Sequence, residues 1–472
     1  MKQSEKIIKR SENFAKWYTS VIKVSNIVDY GLIKGTIILK PYGFDIWENI
    51  RKTIDIIFKD ENIQNCALPT LIPYSEFIKE KTHIKGFAPE LFKITNLENE
   101  ELDDPYVLRP TSEISFCHFF KNNIHNYNDL PLKLNQWCNV FRVEKNTKPF
   151  LRTSEFFWQE QHSAFETPFE SNCFAKKIAI LYKNFLKEYL AIPSIMGEKT
   201  ESEKFAGALT THTIETMMQD GQALQSATSH DLGTIFSIPF NIKYQDKNNK
   251  YQNINQTSAG ISSRIIGGII MIHGDDKGLV LPPKIAPIQI KINALFHIKN
   301  PHVLEICKNL KKTINTTRVF IDSTNKNIGF KMFDGETKGI PIQINIGPKS
   351  VENNQAEIII RNKLEKIIID IDKIDLKLIK NMLTNYHDEL YKKAENFFES
   401  RIIKIKHIDE LEPAIKSGNF IIGFWAGSSK DEEEIKKNTG ATSRCLVESN
   451  EIGRCFYTGK ESKIKAYFGR AY

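Results

Sequence analysis

Apolar residues recur at helical spacing in Asp45–Phe58, where Ile46, Trp47, Ile50, Ile54 and Ile57 share a face. Cys173–Leu190 repeats the pattern through Phe174, Ile178, Leu181, Phe185 and Tyr189. Val107–Leu108, Trp137–Val143 and Ile265–Ile272 read as sheet strands, so residues 1–284 alternate the two element types. LPPKIAP at 281–287 holds three prolines in seven residues and reads as a linker. Beyond it, Ile288–Ile292, Arg318–Ile321, Ile340–Ile346 and Glu357–Ile360 are strand-like, while Val303–Ile314 and Leu376–Leu383 are helix-like. His387–Arg401 is a charged helix with an apolar stripe at Leu390, Ala394 and Phe397, leading into a smaller terminal unit. DEEEIKK at 431–437 reads as a solvated helix face. The pattern divides the chain into 1–284, 285–385 and 386–472, with an α/β (α+β) fold class.

Length and composition narrow this only slightly. The 472 residues are enough for several buried cores, and 41% hydrophobic with 26% charged is ordinary for a globular protein. The net charge of +8 is compatible with an RNA or phosphate partner without requiring one. Seven cysteines with no C-x-x-C pair point to reduced thiols and a cytoplasmic protein. The first residues are charged and lack the apolar core of a secretory signal, and no apolar run is long enough for a membrane helix, so no membrane association is expected.

The chemistry is concentrated in Asn135–Phe165, NQWCNVFRVEKNTKPFLRTSEFFWQEQHSAF. Arg142 and Glu144 end one apolar run, a basic loop follows, and a second run carries Arg152, Glu155, Phe156, Trp158, Glu160 and His162. Arginine's planar fork matches phosphate or carboxylate oxygens in pairs, so Arg142 suits an α-phosphate and the carboxylate attacking it. Glu144 falls on the same strand face two residues on and can accept from an exocyclic amine; Phe156 offers a flat surface to a purine; Arg152 suits a second phosphate. An isolated Arg-x-Glu is more often a structural pair. The density of Arg, Glu, Trp, Gln and His in runs that should be apolar reverses that preference.

This block resembles the second of the three motifs shared by class II aminoacyl-tRNA synthetases. GISSRIIGGIIMIHGDDKGLVLPP at 260–283 resembles the third, with Arg264 before an apolar run that here looks helix-like; NCALPTLI at 65–72 resembles the first. The likeness is closer than class level. KEKTH at 79–83, FAPE at 87–90, RPTSE at 109–113, LNQWCNV at 134–140, FLRTSEF at 150–156, WQEQH at 158–162, EKFAG at 203–207, ATSHDLG at 227–233 and FGRAY at 468–472 resemble the prolyl-tRNA synthetases, in their archaeal/eukaryotic-type branch. The resemblance implies an antiparallel-sheet catalytic domain, an α/β anticodon-binding domain and a small α+β C-terminal domain. It implies activation of L-proline by ATP, transfer to the 3′ end of tRNA(Pro), a homodimer, and Mg²⁺ accompanying ATP beside Glu144 and Glu155.

Roles follow from the resemblance residue by residue. Thr111 and Glu113 would bind proline's ammonium and Arg142 its carboxylate, with Trp158, Glu160, His162, Phe205 and His230 shaping the ring pocket. Arg142, Glu144, Arg152, Phe156, Gln225, Thr228, Ser262 and Arg264 would hold ATP, Arg142 and Arg264 acting on the transferring phosphate. Glu336, Lys338 and Arg361 would read anticodon bases. Ala259 stands where relatives commonly carry tryptophan, and Ser262 and Ser263 where they often have threonine. Leu68 and Leu71 replace bulkier side chains, which loosens the pocket wall.

Two absences are expected. His162 and Arg264 lie 102 positions apart, too close for the editing domain that the bacterial-type branch inserts there. A missing methylene is worth only about 1–3 kcal/mol of discrimination, so mischarging with alanine or cysteine is a real prospect. No structural zinc is expected: Cys455 matches a ligand position of the branch, but Ala426 and Tyr457 stand where cysteines belong, and packing of Phe424, Trp425, Phe456 and Tyr467 would take over. A non-catalytic tRNA-binding paralogue is the alternative; retention of Arg142, Arg152, Arg264, Thr111 and Glu113 counts against it. A synthetase for threonine or serine fits the Trp158–His162 block less well.

Overall fold

The computed structural model describes residues 6–81, 91–315 and 317–472. FAPE (87–90) and the end of KEKTH (82–83) lie outside these residues. An eleven-stranded sheet forms the centre. In chain order its strands are β1 (Gln64–Asn65), β2 (Leu132–Phe141), β3 (Glu155–Phe165), β4 (Ile195–Glu198), β5 (Thr210–Met217), β6 (Ala223–Gly233), β7 (Asn255–Ser262), β8 (Ile402–Lys404), β9 (Phe420–Phe424), β10 (Ala441–Arg454) and β11 (Glu461–Arg470). Their spatial order is 8-9-11-10-4-5-6-7-3-2-1. Strands β2 to β7 pair antiparallel where they adjoin. Leu446 bridges to Glu198 on β4, and Ala471, just past β11, bridges to Ala223 at the start of β6.

The helices cover this sheet for reasons visible in their ends and faces. Pro168–Leu190 begins with Pro at its first position behind a Thr167–Glu170 capping box, and the left-handed Ala191 stops it. It buries Phe174, Ile178, Tyr182, Phe185 and Leu186 in the main core. Pro41–Asp60 lays Ile46, Trp47, Ile50, Ile54 and Phe58 into the same core. Each such side chain contributes about 1.5–3 kcal/mol of transfer free energy.

Ile265–Ile272, read above as a strand, lies within a helix, Arg264–His273. Its run of isoleucines reflects burial on nearly every side, and Gly267 and Gly268 leave room for Leu151 and Leu224 to press against it. The proline-rich stretch 281–287 is no exposed linker: Leu281, Ile285 and Ala286 are core residues. The two helical segments around 376–401 are one helix, Leu376–Ser400, capped by Asp375, and it runs through the expected 385/386 boundary. A separate five-stranded sheet, ordered 319–322, 290–294, 342–346, 355–360, 365–370, packs its isoleucines against Pro301–Thr313. The acidic helix Ser429–Thr439 is not wholly solvated, since Glu432 and Ile435 are buried. Near it, Trp425 packs against Phe456, Tyr457 and Phe468.

Candidate active site

Strand alternation turns Trp158, Glu160 and His162 to one face of β3. Register then builds two rows across the sheet. Glu160 lies opposite Gln136 on β2 and Gly260 on β7, which in turn faces Thr228 on β6. His162 lies opposite Ser258, which faces His230, which faces Thr211 on β5. Above these rows is a cavity of about 190 Å³. All eight residues expected to hold proline line it: Thr111, Glu113, Arg142, Trp158, Glu160, His162, Phe205 and His230. Gly260 leaves the space that Trp158 fills, as a Cβ there would come within 2.5 Å of its indole nitrogen.

Two carboxylates crowd one end. Thr111 Oγ1 donates to Glu113 Oε2 at 2.5 Å and lies 3.4 Å from Glu160 Oε1. Glu160 is well served: the Ser112 amide donates to it at 3.2 Å and Gln136 Nε2 at 2.9 Å. Burial, then the neighbouring Glu160 carboxylate, push Glu113 up to about 7 against the opposing pull of Thr111 and Arg142. His162, stacked on Phe116 at 4.0 Å, and His230, bonded to Thr211 Oγ1 at 2.9 Å, are both held down near 3, by burial first and a neighbouring imidazole second. Both rings are therefore neutral near pH 7 and shape the wall without adding charge. Trp158 Nε1 and Ser258 Oγ are buried without a protein partner among the described residues, and so are available to a ligand.

Arg142 spans both ends. Its Nε and Nη2 donate to the Pro110 carbonyl, each at 3.1 Å, and its guanidinium lies 4.8 Å from the Trp158 ring and 5.6 Å from that of Phe156. Nη1 makes no hydrogen bond to the described protein, so a donor pair remains for a carboxylate or phosphate. Of the expected nucleotide residues, Gln225 and Thr228 line the cavity with Arg142. Glu144, Arg152, Phe156, Ser262 and Arg264 lie outside its lining. Phe156 stacks on Trp158 at 5.4 Å, and Arg152 lies 3.7 Å from Glu144. Arg264 is pinned by its Nε bond to the Leu151 carbonyl and its amide bond to Ser262 Oγ. Burial, then Arg142 and Arg152, lower Arg264 to about 10 against the pull of Glu144 and Glu215, so three arginines share few carboxylates. An anion is what such a group lacks.

One expected role is corrected. Arg361 cannot read bases: it is 2% exposed, donates to both Asp275 oxygens at 2.6 and 2.7 Å, and donates through Nε to the Glu336 carbonyl. It clamps the five-stranded unit to the turn after the Arg264 helix. Lys338 pairs with Asp334 at 2.8 Å, and Glu336 lies 3.8 Å from Lys277.

The residue reading missed Lys199, Glu203, Thr211 and Ser258, all in the cavity wall. Ser258 was accessible by alternation from Gly260. Lys199 carried no local signal, because its partner Glu215 lies on β5 and shares its other oxygen with Arg444 of β10.

Comparison with known proteins gives a consistent picture. Residues 92–273 match the tRNA synthetase class II core domain (G, H, P, S and T), 284–381 an anticodon binding domain, and 408–472 the C-terminal domain of prolyl-tRNA synthetase. Proline–tRNA ligase of Ureaplasma urealyticum is 47% identical across the whole of both chains. That of Malacoplasma penetrans is 48% identical over 99% of this chain and 100% of its own, and that of Clostridium novyi 44% over 99% and 98%. The crystal structure of prolyl-tRNA synthetase from Cryptosporidium parvum with halofuginone and AMPPNP superposes with a TM-score of 0.93 at 34% identity, covering 98% of this chain and 99% of that one.

Proposed function

The chain belongs to the prolyl-tRNA synthetases of class II, and from that premise we infer how its cavity ligates proline to tRNA. A carboxylate oxygen of proline attacks the α-phosphorus of ATP, the bond to pyrophosphate breaks, and a prolyl-adenylate forms. The 3′-terminal ribose of tRNA then attacks the activated carbonyl and AMP leaves. Phosphoryl transfer of this kind depends on positioned charge more than on a general base.

The observation that carries the assignment of residues is the meeting of Thr111, Glu113 and Glu160 beside Arg142 in one small cavity. Proline's secondary ammonium carries two N–H donors and one charge. Glu113 and the Thr111 hydroxyl supply the acceptors and the counter-charge, and Glu160, held by Gln136 and Ser112, keeps Thr111 in place. Arg142 takes the proline carboxylate with its free nitrogen and holds it against the α-phosphate. Phe156 backs the purine, Gln225 and Thr228 face the nucleotide, and Arg152 and Arg264 neutralise the departing pyrophosphate.

The synthetases of this class use ATP with a divalent metal. Among the described residues no three His, Cys, Asp or Glu side chains gather as a metal cage. Glu144, 3.7 Å from Arg152, and Glu155, bonded to Asn139, are the carboxylates that would take Mg²⁺ arriving with the phosphates and held by one or two carboxylates. The metal would neutralise phosphate charge while the arginines orient the chain of phosphates. The archaeal/eukaryotic-type branch is supported by β4, β5, β6 and the Pro168–Leu190 helix occupying the stretch between His162 and Arg264. A cytoplasmic homodimer paired through the first motif, and no proofreading in cis, complete the reading.

ATP–pyrophosphate exchange on the purified protein tests it, with proline compared against alanine, cysteine, threonine and serine. Strong exchange with proline is expected, and weaker exchange with alanine or cysteine. No exchange in a folded protein that still binds tRNA would favour a non-catalytic paralogue.

A further inference from the structure

The segment Lys199–Phe205 contributes to one wall of the cavity, yet Thr200 and Ser202 are held by the C-terminal unit and Lys199 by a β5 carboxylate that the same unit grips. Lys199 Nζ donates to Glu215 Oε1 at 2.8 Å. Arg444 donates to Glu215 Oε2 through Nε at 3.1 Å and Nη2 at 3.0 Å, and through Nη1 to Thr442 at 2.8 Å. Next to this triad, Glu432 Oε2 accepts from the hydroxyls of Thr200 at 2.8 Å, Ser202 at 2.6 Å and Ser443 at 2.7 Å. Arg444 is 4% exposed, Glu432 8%, Thr200 5% and Glu215 fully enclosed. Both Arg444 and Glu432 come from the C-terminal unit, more than 200 positions along the chain from Glu215 and Thr200; Glu432 touches the wall directly and Arg444 reaches it through Glu215.

The contacts continue inward to the substrate space. The amides of Glu203 and Lys204 donate to the Thr200 carbonyl, closing a turn on the residue that Glu432 grips. The Phe205 amide donates to Thr211 Oγ1 at 3.1 Å, the same oxygen that meets His230 Nδ1 at 2.9 Å. The Phe205 and His230 rings lie 4.8 Å apart. Glu432 directly, and Arg444 through Glu215 and Lys199, thus fix the start of a short path that finishes at two side chains facing the ring of the amino acid. Among the described residues neither makes a hydrogen bond or ion pair with Arg142, Arg152 or Arg264 at the nucleotide end, which feels this cluster only through the Glu215 charge acting on Arg264.

We propose that Arg444 and Glu432 are positioning residues for the amino-acid half of the cavity, so that the C-terminal unit tunes proline affinity through the Lys199–Phe205 wall. The proposal rests on the functional reading above. Removing Arg444 leaves Lys199 as the sole cation on a fully buried Glu215, and removing the Glu432 charge loosens three hydroxyls at once. Either change lets the wall drift from proline while leaving every hydrogen bond of the phosphate arginines in place.

The test measures KM for proline, KM for ATP, kcat and the unfolding midpoint in the full chain, by ATP–pyrophosphate exchange. Arg444→Met is expected to raise the proline KM about tenfold with the ATP KM within about twofold, the loss of one oriented contact to a charged group. Arg444→Lys should recover part of that loss, and Glu432→Gln should shift the proline KM the same way by less. Tyr457→Phe, which removes only a surface bond to Glu434 on the same unit, should change neither KM. Unchanged proline KM in folded Arg444→Met and Glu432→Gln overturns the proposal, as does a parallel change in both KM values or a fall in kcat alone. If Arg444→Met does not fold, Arg444→Lys and Glu432→Gln decide by the same criterion. Absence of proline-dependent exchange in the unaltered chain would sink the functional reading and the proposal together; its presence beside unchanged variants would sink the proposal only.

Discussion

Glu113 and Glu215 are both glutamates buried at the same sheet, yet they sit in opposite electrostatic settings. Glu215 has cations on both oxygens and a donor in Thr213, and although burial raises its pKa, Lys199 and Arg444 bring it below the ordinary carboxylate range. Glu113 has a hydroxyl and shares the pull of one cation, Arg142, with a neighbouring carboxylate. The first is complete without a ligand. The second lacks one positive charge, and an ammonium ion supplies it. A buried acid that is fully paired holds the fold; one left short of a cation holds a place for substrate.

The contrast breaks most strongly at Glu215. Glu215→Gln leaves two cations buried with no counter-charge and should cost about 3–5 kcal/mol, read as a lower midpoint in denaturant unfolding. Glu113→Gln should do the reverse: stability held or slightly raised, with kcat/KM for proline down roughly 100-fold, or about 2.7 kcal/mol, in exchange assays. If both variants lost stability equally, the distinction would fail.

Acidity sharpens the comparison further. Glu113 has its folded pKa raised, so the folded state holds its proton more tightly than the unfolded chain. Its burial therefore weakens the fold as pH climbs from the ordinary carboxylate range to about 7. Glu215 has its folded pKa lowered, so its stabilisation is present above the ordinary carboxylate pKa and is lost as pH falls through the lower folded value. For catalysis, the proline KM should rise about tenfold per unit as pH drops below about 7, and Glu113→Gln should flatten that profile. The smallest effect belongs to an exposed pair. Lys363→Ala, losing only its solvent-facing bond to Glu389, should leave the unfolding midpoint unmoved.

The substrate end was expected from the resemblance carried by RPTSE and WQEQH, and local strand alternation gives the physical reason for part of it. Once Trp158, Glu160 and His162 are placed on one strand they must share a face, and RPTSE delivers Thr111 and Glu113 beside them. Arg361 was misread because a polar residue at a strand end looks the same whether it meets solvent or the Asp275 carboxylate 86 positions away. The same limit hid Glu432 inside an acidic run and Lys199 beside Glu215. Ile265–Ile272 misled for a different reason: β-branched content reports burial on all sides, and a central helix meets that condition as well as a strand does. The helix Leu376–Ser400 looked like two because its apolar face changes partners, from the isoleucine core near Ile379 and Leu383 to contacts around Tyr386 and Leu390.

The bridge between Leu446 and Glu198 also bears on how the chain reaches this state. Those residues are separated by 248 positions, and the catalytic sheet finds its outer neighbour only when the last quarter of the polypeptide has been made. Pairings of such long range close slowly, because loop entropy is spent before contacts repay it. Until then β4 presents a bare edge to the cell, a template for association with other unfinished chains. During synthesis the catalytic half should accordingly stay open along this one edge until the C-terminal strands arrive.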